Sequence, residues 1–307
     1  MALTLVEAAK RYQNPVQSGI IEMFPQYSDV LQFLPFNNIQ GSAMRYNREE
    51  TLPGVGFRGV NEAYSESTGV LNPVVEPLVI GGGDLDVDAF ILRTQGVDQR
   101  SVQEAMKVKA LALRWTETFI KGDNATEPRE FDGLQTRLTG SQVISAGTTA
   151  NGEPLSLSKL DELIDAVDSP THLIMNKALK RRLSAAARSS SVGGYITYTP
   201  DAFGRSIMQY NDLPILIADQ DETGTDILGF TEAAASGTAT ATSIYCVSFT
   251  EGMLTGIQSS EPMVKDLGEL ETKPVFRTRV EWDCGIAVFH AKAAARLKYI
   301  ANAAVVA

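Results

Sequence analysis

The chain has 307 residues, of which 44% are hydrophobic and 21% charged, enough for one large or two smaller domains with a sizeable core. Its 27 basic and 37 acidic side chains give a net charge of -10, which excludes electrostatic capture of polyphosphate or anionic lipid by the molecule as a whole. No stretch approaches the ~20 apolar residues needed to span a bilayer, and the N-terminal apolar run is too short and polar for a signal peptide, so synthesis in a cytoplasm is expected.

The first forty residues read as short amphipathic helices at 3–12, 16–23 and 28–34, separated by Pro15, Pro25 and Pro35. Each is too short to persist unaided. Their apolar residues, among them Leu5, Ile20, Met23, Val30, Leu31 and Leu34, need a surface from the body of the subunit or from a neighbour. Residues 41–73 form a long excursion with alternating stretches at 43–48 and 55–60, joined through the turn signal Thr51-Leu52-Pro53-Gly54. An isolated two-stranded ribbon is marginal in water, so it is expected to dock on another subunit.

Residues 74–80 and 85–92 read as strands bracketing Gly81-Gly82-Gly83. The strongest helix follows, from Ser101 as N-cap, with Glu104 three residues on, to Lys121 before Gly122. At ~1.5 Å per residue it is about 30 Å long. Its apolar residues fall in two stripes: Val102, Met106, Ala110, Leu113 and Ile120, and Val108, Leu111, Ala112, Trp115 and Phe119. Two stripes suit either a helix held between two elements or one deep in a single domain. Beyond Glu130 the chain alternates: helix 158–167, strand 171–175, helix 177–189, strands 194–199, 206–210 and 213–218. A polar loop at 221–242, strands 243–250, 253–258 and 275–289, a tip near Leu267-Gly268-Glu269-Leu270 and a closing helix at 291–300 complete the reading.

Catalytic chemistry is sparse. The two histidines, His172 and His290, sit at strand ends and read as structural. Cys246 and Cys284 stand far apart without zinc spacing and read as reduced core residues. Asp84, Asp86 and Asp88 after the glycines could ring a hard cation, but the pattern occurs once and a wet strand face is preferred. No dinucleotide fingerprint, phosphate loop or nucleophile elbow occurs. The basic run Lys177, Lys180, Arg181, Arg182 and Arg188 could touch phosphate, but the acidic helix before it (Asp161, Glu162, Asp165, Asp168) offers a simpler partner. Asn124-Ala125-Thr126 is a glycosylation sequon by pattern only.

Several stretches resemble the major capsid proteins of tailed bacteriophages with the Hong Kong 97 type (HK97-like) capsid fold. They are Glu130-Phe131-Asp132-Gly133-Leu134, His172-Leu173-Ile174-Met175-Asn176, Gly194-Tyr195-Ile196-Thr197-Tyr198, Asp212-Leu213-Pro214-Ile215-Leu216, and the closing runs 273–282 and 285–290. The resemblance implies an α+β subunit with an N-terminal arm at 1–40 and an extended E-loop hairpin at 41–73. A peripheral domain (74–133 and 261–283) would carry the spine helix, and an axial domain (134–260 and 284–307) would meet its copies at five-fold and six-fold centres. It implies a non-enzymatic protein of the virion, assembled in the host cytoplasm into pentamers and hexamers of an icosahedral head around double-stranded DNA held without sequence-specific contacts. Scaffold, portal and decoration proteins are the implied partners; no cofactor, metal or membrane is. No lysine occurs between Lys10 and Lys107, so the isopeptide weld made by some members from an E-loop lysine is not expected. Some members begin with a long cleaved scaffolding segment; the sequence opens directly on the expected arm, and a separate scaffold, prior removal of such a segment, or none at all stay open. Arg45, Arg48 and Arg58 of the ribbon are expected to pair with Glu269, Glu281 or Asp283 of an adjacent subunit. An encapsulin-like compartment is the alternative within this fold, and a metal-assisted enzyme at Asp84, Asp86 and Asp88 the alternative outside it.

Overall fold

The computed structural model describes residues 27–95, 98–188, 196–200, 206–237 and 239–306. The expected helices at 3–12 and 16–23, and the start of the strand expected at 194–199, lie outside them. The next expected helix is α1 (Asp29–Phe33), capped by Ser28, whose hydroxyl accepts from the Leu31 amide. Val30, Leu31 and Leu34 are fully buried in the subunit's own core. The surface these residues need is therefore supplied in cis. A short strand, β1 (Phe36–Asn38), follows.

β2 (Ala43–Thr51) and β3 (Val70–Pro77) form an antiparallel ribbon, with Ala43 opposite Pro77 and Thr51 opposite Val70. This corrects the expected hairpin: residues 52–69 contain no strand, and the partner comes from 70–77. Gly56 and Gly59 deprive 55–60 of side chains a strand packs, whereas Val70, Leu71, Val74 and Val75 supply them. β4 (Val79–Asp88) runs unbroken through the three glycines. At Asp88 the chain turns into α2 (Ala89–Gln95), because the Asp88 carboxylate accepts from the Phe90 amide at 2.7 Å; the strand expected to reach 92 stops there.

α3 (Asp98–Lys121) has 24 residues and starts three before the expected cap at Ser101. Glu104 does not close a capping box; it pairs with Arg100 and accepts from the Thr278 hydroxyl at 2.7 Å. Of the two stripes, Val108, Ala112, Trp115 and Phe119 are buried, whereas Val102 and Met106 are exposed. Then come α4 (Leu134–Arg137), β5 (Val143–Ser145), α5 (Leu157–Asp165), β6 (His172–Met175) and α6 (Lys177–Ala186). The rest is strand: β7 (Ile196–Pro200), β8 (Ser206–Tyr210), β9 (Leu213–Ile217), β10 (Glu232–Ala233), β11 (Ala239–Val247), β12 (Leu254–Gln258), β13 (Met263–Glu269), β14 (Val275–Val288) and β15 (Ala294–Ala301). The last replaces the expected closing helix.

Two sheets organise these elements. In one, β14 is the hub: β4 pairs with it along one edge, from Val275 opposite Asp88 to Cys284 opposite Val79. Along the other edge it meets β13 and then β12, which β1 extends in parallel. The second sheet has the order β5-β15-β11-β6-β9-β8-β7, with β10 on β11. Alternate residues of its strands feed two cores. Ile174, Leu216, Tyr245 and Val247 face a cluster with α1, α3 and the first sheet; Leu173, Met175, Ile215 and Cys246 face a cluster with α5 and α6. Where the sheets meet, Trp282 lies 5.3 Å from Phe36 and 5.9 Å from Trp115, ring centre to ring centre. Its indole N–H donates to the Gln258 side chain at 3.0 Å, so its burial leaves no polar atom unpaired.

Candidate assembly surface

The ribbon has a rooted end and a bare end. At the root, Tyr46 on β2 and Glu76 on β3 meet Arg137 at the end of α4. The Arg137 guanidinium grips the Glu76 carboxylate with both terminal nitrogens, one at 2.7 Å, while its Nε donates to the Asp132 carbonyl at 2.6 Å. Glu76 is buried. The Tyr46 hydroxyl donates to the Val288 carbonyl at 2.9 Å, and its ring packs edge-on against Phe289 at 4.7 Å. Burial, with the nearby Glu76 charge, pushes the Tyr46 pKa up to about 12. Fork geometry and burial make this a stiff joint between ribbon and body. Sequence reasoning missed all three residues; the one signal was an acid, Glu76, between Val75 and Pro77.

At the other end, residues 52–69 carry Leu52, Val55, Phe57, Val60 and Tyr64, and these side chains are bare. Val55 is 95% exposed, Val60 92%, and Phe57 wholly so. Val70, Leu71 and Val75 continue the apolar surface along β3. Single exposed apolar residues are ordinary, but five large ones within 52–64 are a concentration of bare apolar surface. Within the loop, Arg58 donates to the Glu62 carbonyl at 3.2 Å and lies over the Tyr64 ring. The tip thus has some shape of its own without a core.

The expected ribbon cations lie on this element: Arg45 opposite Val75, Arg48 opposite Asn72, and Arg58 in the loop. The three acids lie on the first sheet. Glu281 on β14 is 3.7 Å from Arg279, Asp283 accepts from the Ser259 hydroxyl at 2.8 Å, and Glu269 ends β13. These three acids and the ribbon cations do not pair among the described residues of one subunit.

The acids after the triple glycine have partners. Asp84 forks with Arg279 and Asp86 with Arg277 across the β4–β14 ladder. The arginine hydrogen bonds hold both carboxyls below their usual pKa. Asp88 caps α2 instead. These are cross-strand ion pairs, and their geometry is not that of carboxylates converging on a cation. His172 is wedged between Phe33 and Phe249, its pKa pushed down to about 4 by burial. His290 accepts from the Lys292 amide. Both cysteines are free and buried, and burial pushes the Cys246 thiol up to about 12. The basic and acidic helices do not pair with each other as expected. Lys177 on α6 pairs with Asp219, and Arg182 with the Asn302 side chain; Asp168 after α5 meets Lys292.

No protein-family model and no curated protein matches the sequence. Solved structures do. A chain of the holo-SrpI encapsulin complex from Synechococcus elongatus PCC 7942 superposes with a TM-score of 0.65 at 17% identity, covering 91% of this chain and 89% of that one. A capsid chain of a native GTA particle gives 0.62 at 17% identity, covering 90% and 91%. A chain of Mycobacterium phage Adephagia gives 0.61 at 11%, covering 89% of each. Identities this low speak for architecture alone, and over nearly its whole length that architecture is the HK97-like capsid fold shared by phage capsid and encapsulin shell proteins.

Proposed function

We propose that the protein is a major capsid protein, a structural subunit without catalytic activity that closes with its copies into an icosahedral phage head around double-stranded DNA. The observation that carries this reading is the bare loop 52–69 at the end of a ribbon whose root is locked to the body. Burying an exposed Val, Leu or Phe gains about 1.5–3 kcal/mol each, which the loop can collect only on another molecule. In this reading the ribbon is the E-loop and α3 the spine helix. The division is an arm (1–40), the E-loop (41–73), a peripheral domain (74–133 and 261–283) and an axial domain (134–260 and 284–307). Contacts between unlike surfaces close pentamers and hexamers, and rings joined through ribbons close a shell.

Arg45, Arg48 and Arg58 would pair with Glu269, Glu281 or Asp283 of the next subunit. Charge reversal at the three arginines is expected to weaken assembly and flatten its salt dependence; unchanged assembly refutes the pairing. The net charge of -10 suits a container filled by a motor, so isolated subunits are expected to bind duplex DNA weakly at physiological salt.

The test of the main reading is replacement of Val55, Phe57 and Val60 by serine. Mass photometry is expected to show megadalton particles for the parent and small species for the variant, with equal thermal stability of the folded subunit. Particles of unchanged yield from the variant would remove the loop from the account. A second reading, an encapsulin-like compartment, has in its favour the likeness to the SrpI shell. Shells purified from the native source separate the two: nuclease-resistant DNA inside supports the phage head, and cargo protein supports the compartment.

A further inference from the structure

α5 and α6 carry opposite, incompletely matched charge on their solvent faces. On α5 the buried face is Leu160, Leu163 and Ile164, and the exposed positions Asp161, Glu162, Asp165 and, just beyond, Asp168 recur at helical spacing. On α6 the buried residues are Leu179 and Leu183, and Lys177, Arg181 and Arg188 form the exposed stripe with Lys180 beside it. No acid falls between 177 and 188 and no base between 160 and 168. Both helices pack on the same core, yet no ion pair joins them among the described residues. Their counter-charges are local and partly exposed: Lys159 of α5 itself on Glu162, Lys292 on Asp168, and Asp219 on Lys177. Asp161 accepts from the Tyr210 hydroxyl. Asp165, Lys180, Arg181 and Arg188 have no ionic partner among the described residues.

An acidic and a basic stripe of similar length, unpaired with each other on one subunit, have the complementary charge of the two halves of a head-to-tail contact. We infer that in the assembled ring the α6 cations of one copy seat against the α5 acids of the next. The inference rests on the shell reading and adds to it the pair of faces that closes each ring. A duplex phosphate backbone on α6 is the competing occupant, but it leaves the matching acid stripe without a role.

The test is a charge swap in the full chain. Lys180→Glu with Arg181→Glu and Arg188→Glu places acid against acid, and Glu162→Lys with Asp165→Lys and Asp168→Lys places base against base. Each set alone is expected to lower shell yield by about tenfold or more, since like charges face each other across the ring. The two sets together restore most of it, with the fold of every variant checked by circular dichroism. If either set assembles like the parent, or the combined chain fails to recover, the pairing is wrong. If the α6 set forms normal shells that have lost only their nucleic acid, α6 faces the contents and the inference is likewise overturned. Absence of shells from the parent would instead refute the shell reading itself.

Discussion

Glu76→Ala tests whether the ribbon is held rigidly at its root. The substitution leaves the Arg137 side chain, 16% exposed, with the Asp132 carbonyl as its remaining partner, and takes one acceptor from Tyr46, which keeps Val288. Removing one member of a buried ion pair costs about 3–5 kcal/mol. The retained Asp132 bond and the partial exposure of Arg137 place the expected loss near the lower end, about 3 kcal/mol. The Glu76→Leu, Arg137→Met double variant removes both charges and is expected to lose about 1 kcal/mol, less than the Glu76 change alone, because no charge is stranded. Urea unfolding of each chain in the Val55, Phe57 and Val60 serine background measures the subunit without contributions from assembly. A loss below about 0.5 kcal/mol for Glu76→Ala, or a double variant that loses the sum of its two single changes, would show that the joint is not a coupled clamp.

Two further outcomes follow from the core. His172 takes its proton near pH 6.5 when unfolded and only near 4 when folded, so the unfolded chain binds more protons between those values and stability falls as pH drops through that window. The loss reaches about 3 kcal/mol by pH 4 and is absent in His172→Phe, as paired pH titrations of unfolding would show; equal slopes for both proteins would contradict it. Gly82 has φ of +157, and a Cβ there would strike the Val280 carbonyl on the neighbouring β14. Gly82→Ala is therefore expected to cost about 2–3 kcal/mol in thermal unfolding, and a change within about 0.5 kcal/mol would mean that the β4–β14 ladder can yield.

The sequence was most informative where pattern and packing agree. Leu160, Leu163 and Leu179, Leu183 repeat at helical spacing, and His172 to Met175 is an apolar run between turns, so α5, α6 and β6 lie where periodicity puts them. It misled where a local preference lost to long-range pairing. Ala291 to Ala295 is rich in the best helix former, yet Ala294, Ala295, Leu297 and Ile300 are buried between β11 and β5, and the segment is the strand β15. Pro53-Gly54 is a sound turn signal, but it opens an irregular loop, because glycines leave 55–60 too little side chain to form a strand. β13 escaped notice since Met263, Val264 and Leu267 do not alternate and its residues are mostly exposed; its partner β14 defines it. The clamp of Tyr46, Glu76 and Arg137 joins residues up to 91 positions apart, beyond the reach of any local pattern.

On the shell reading, loop 52–69 is a contact surface for sister subunits. Hydrogen exchange on those backbone amides, compared between dilute subunits and purified particles, addresses it at the residues themselves. Fast exchange in the subunit and strong protection in the particle, centred on Val55 to Val60, are expected. Equal, fast exchange in both states would contradict it, since a segment buried against a neighbour cannot remain as open to water as one that is not.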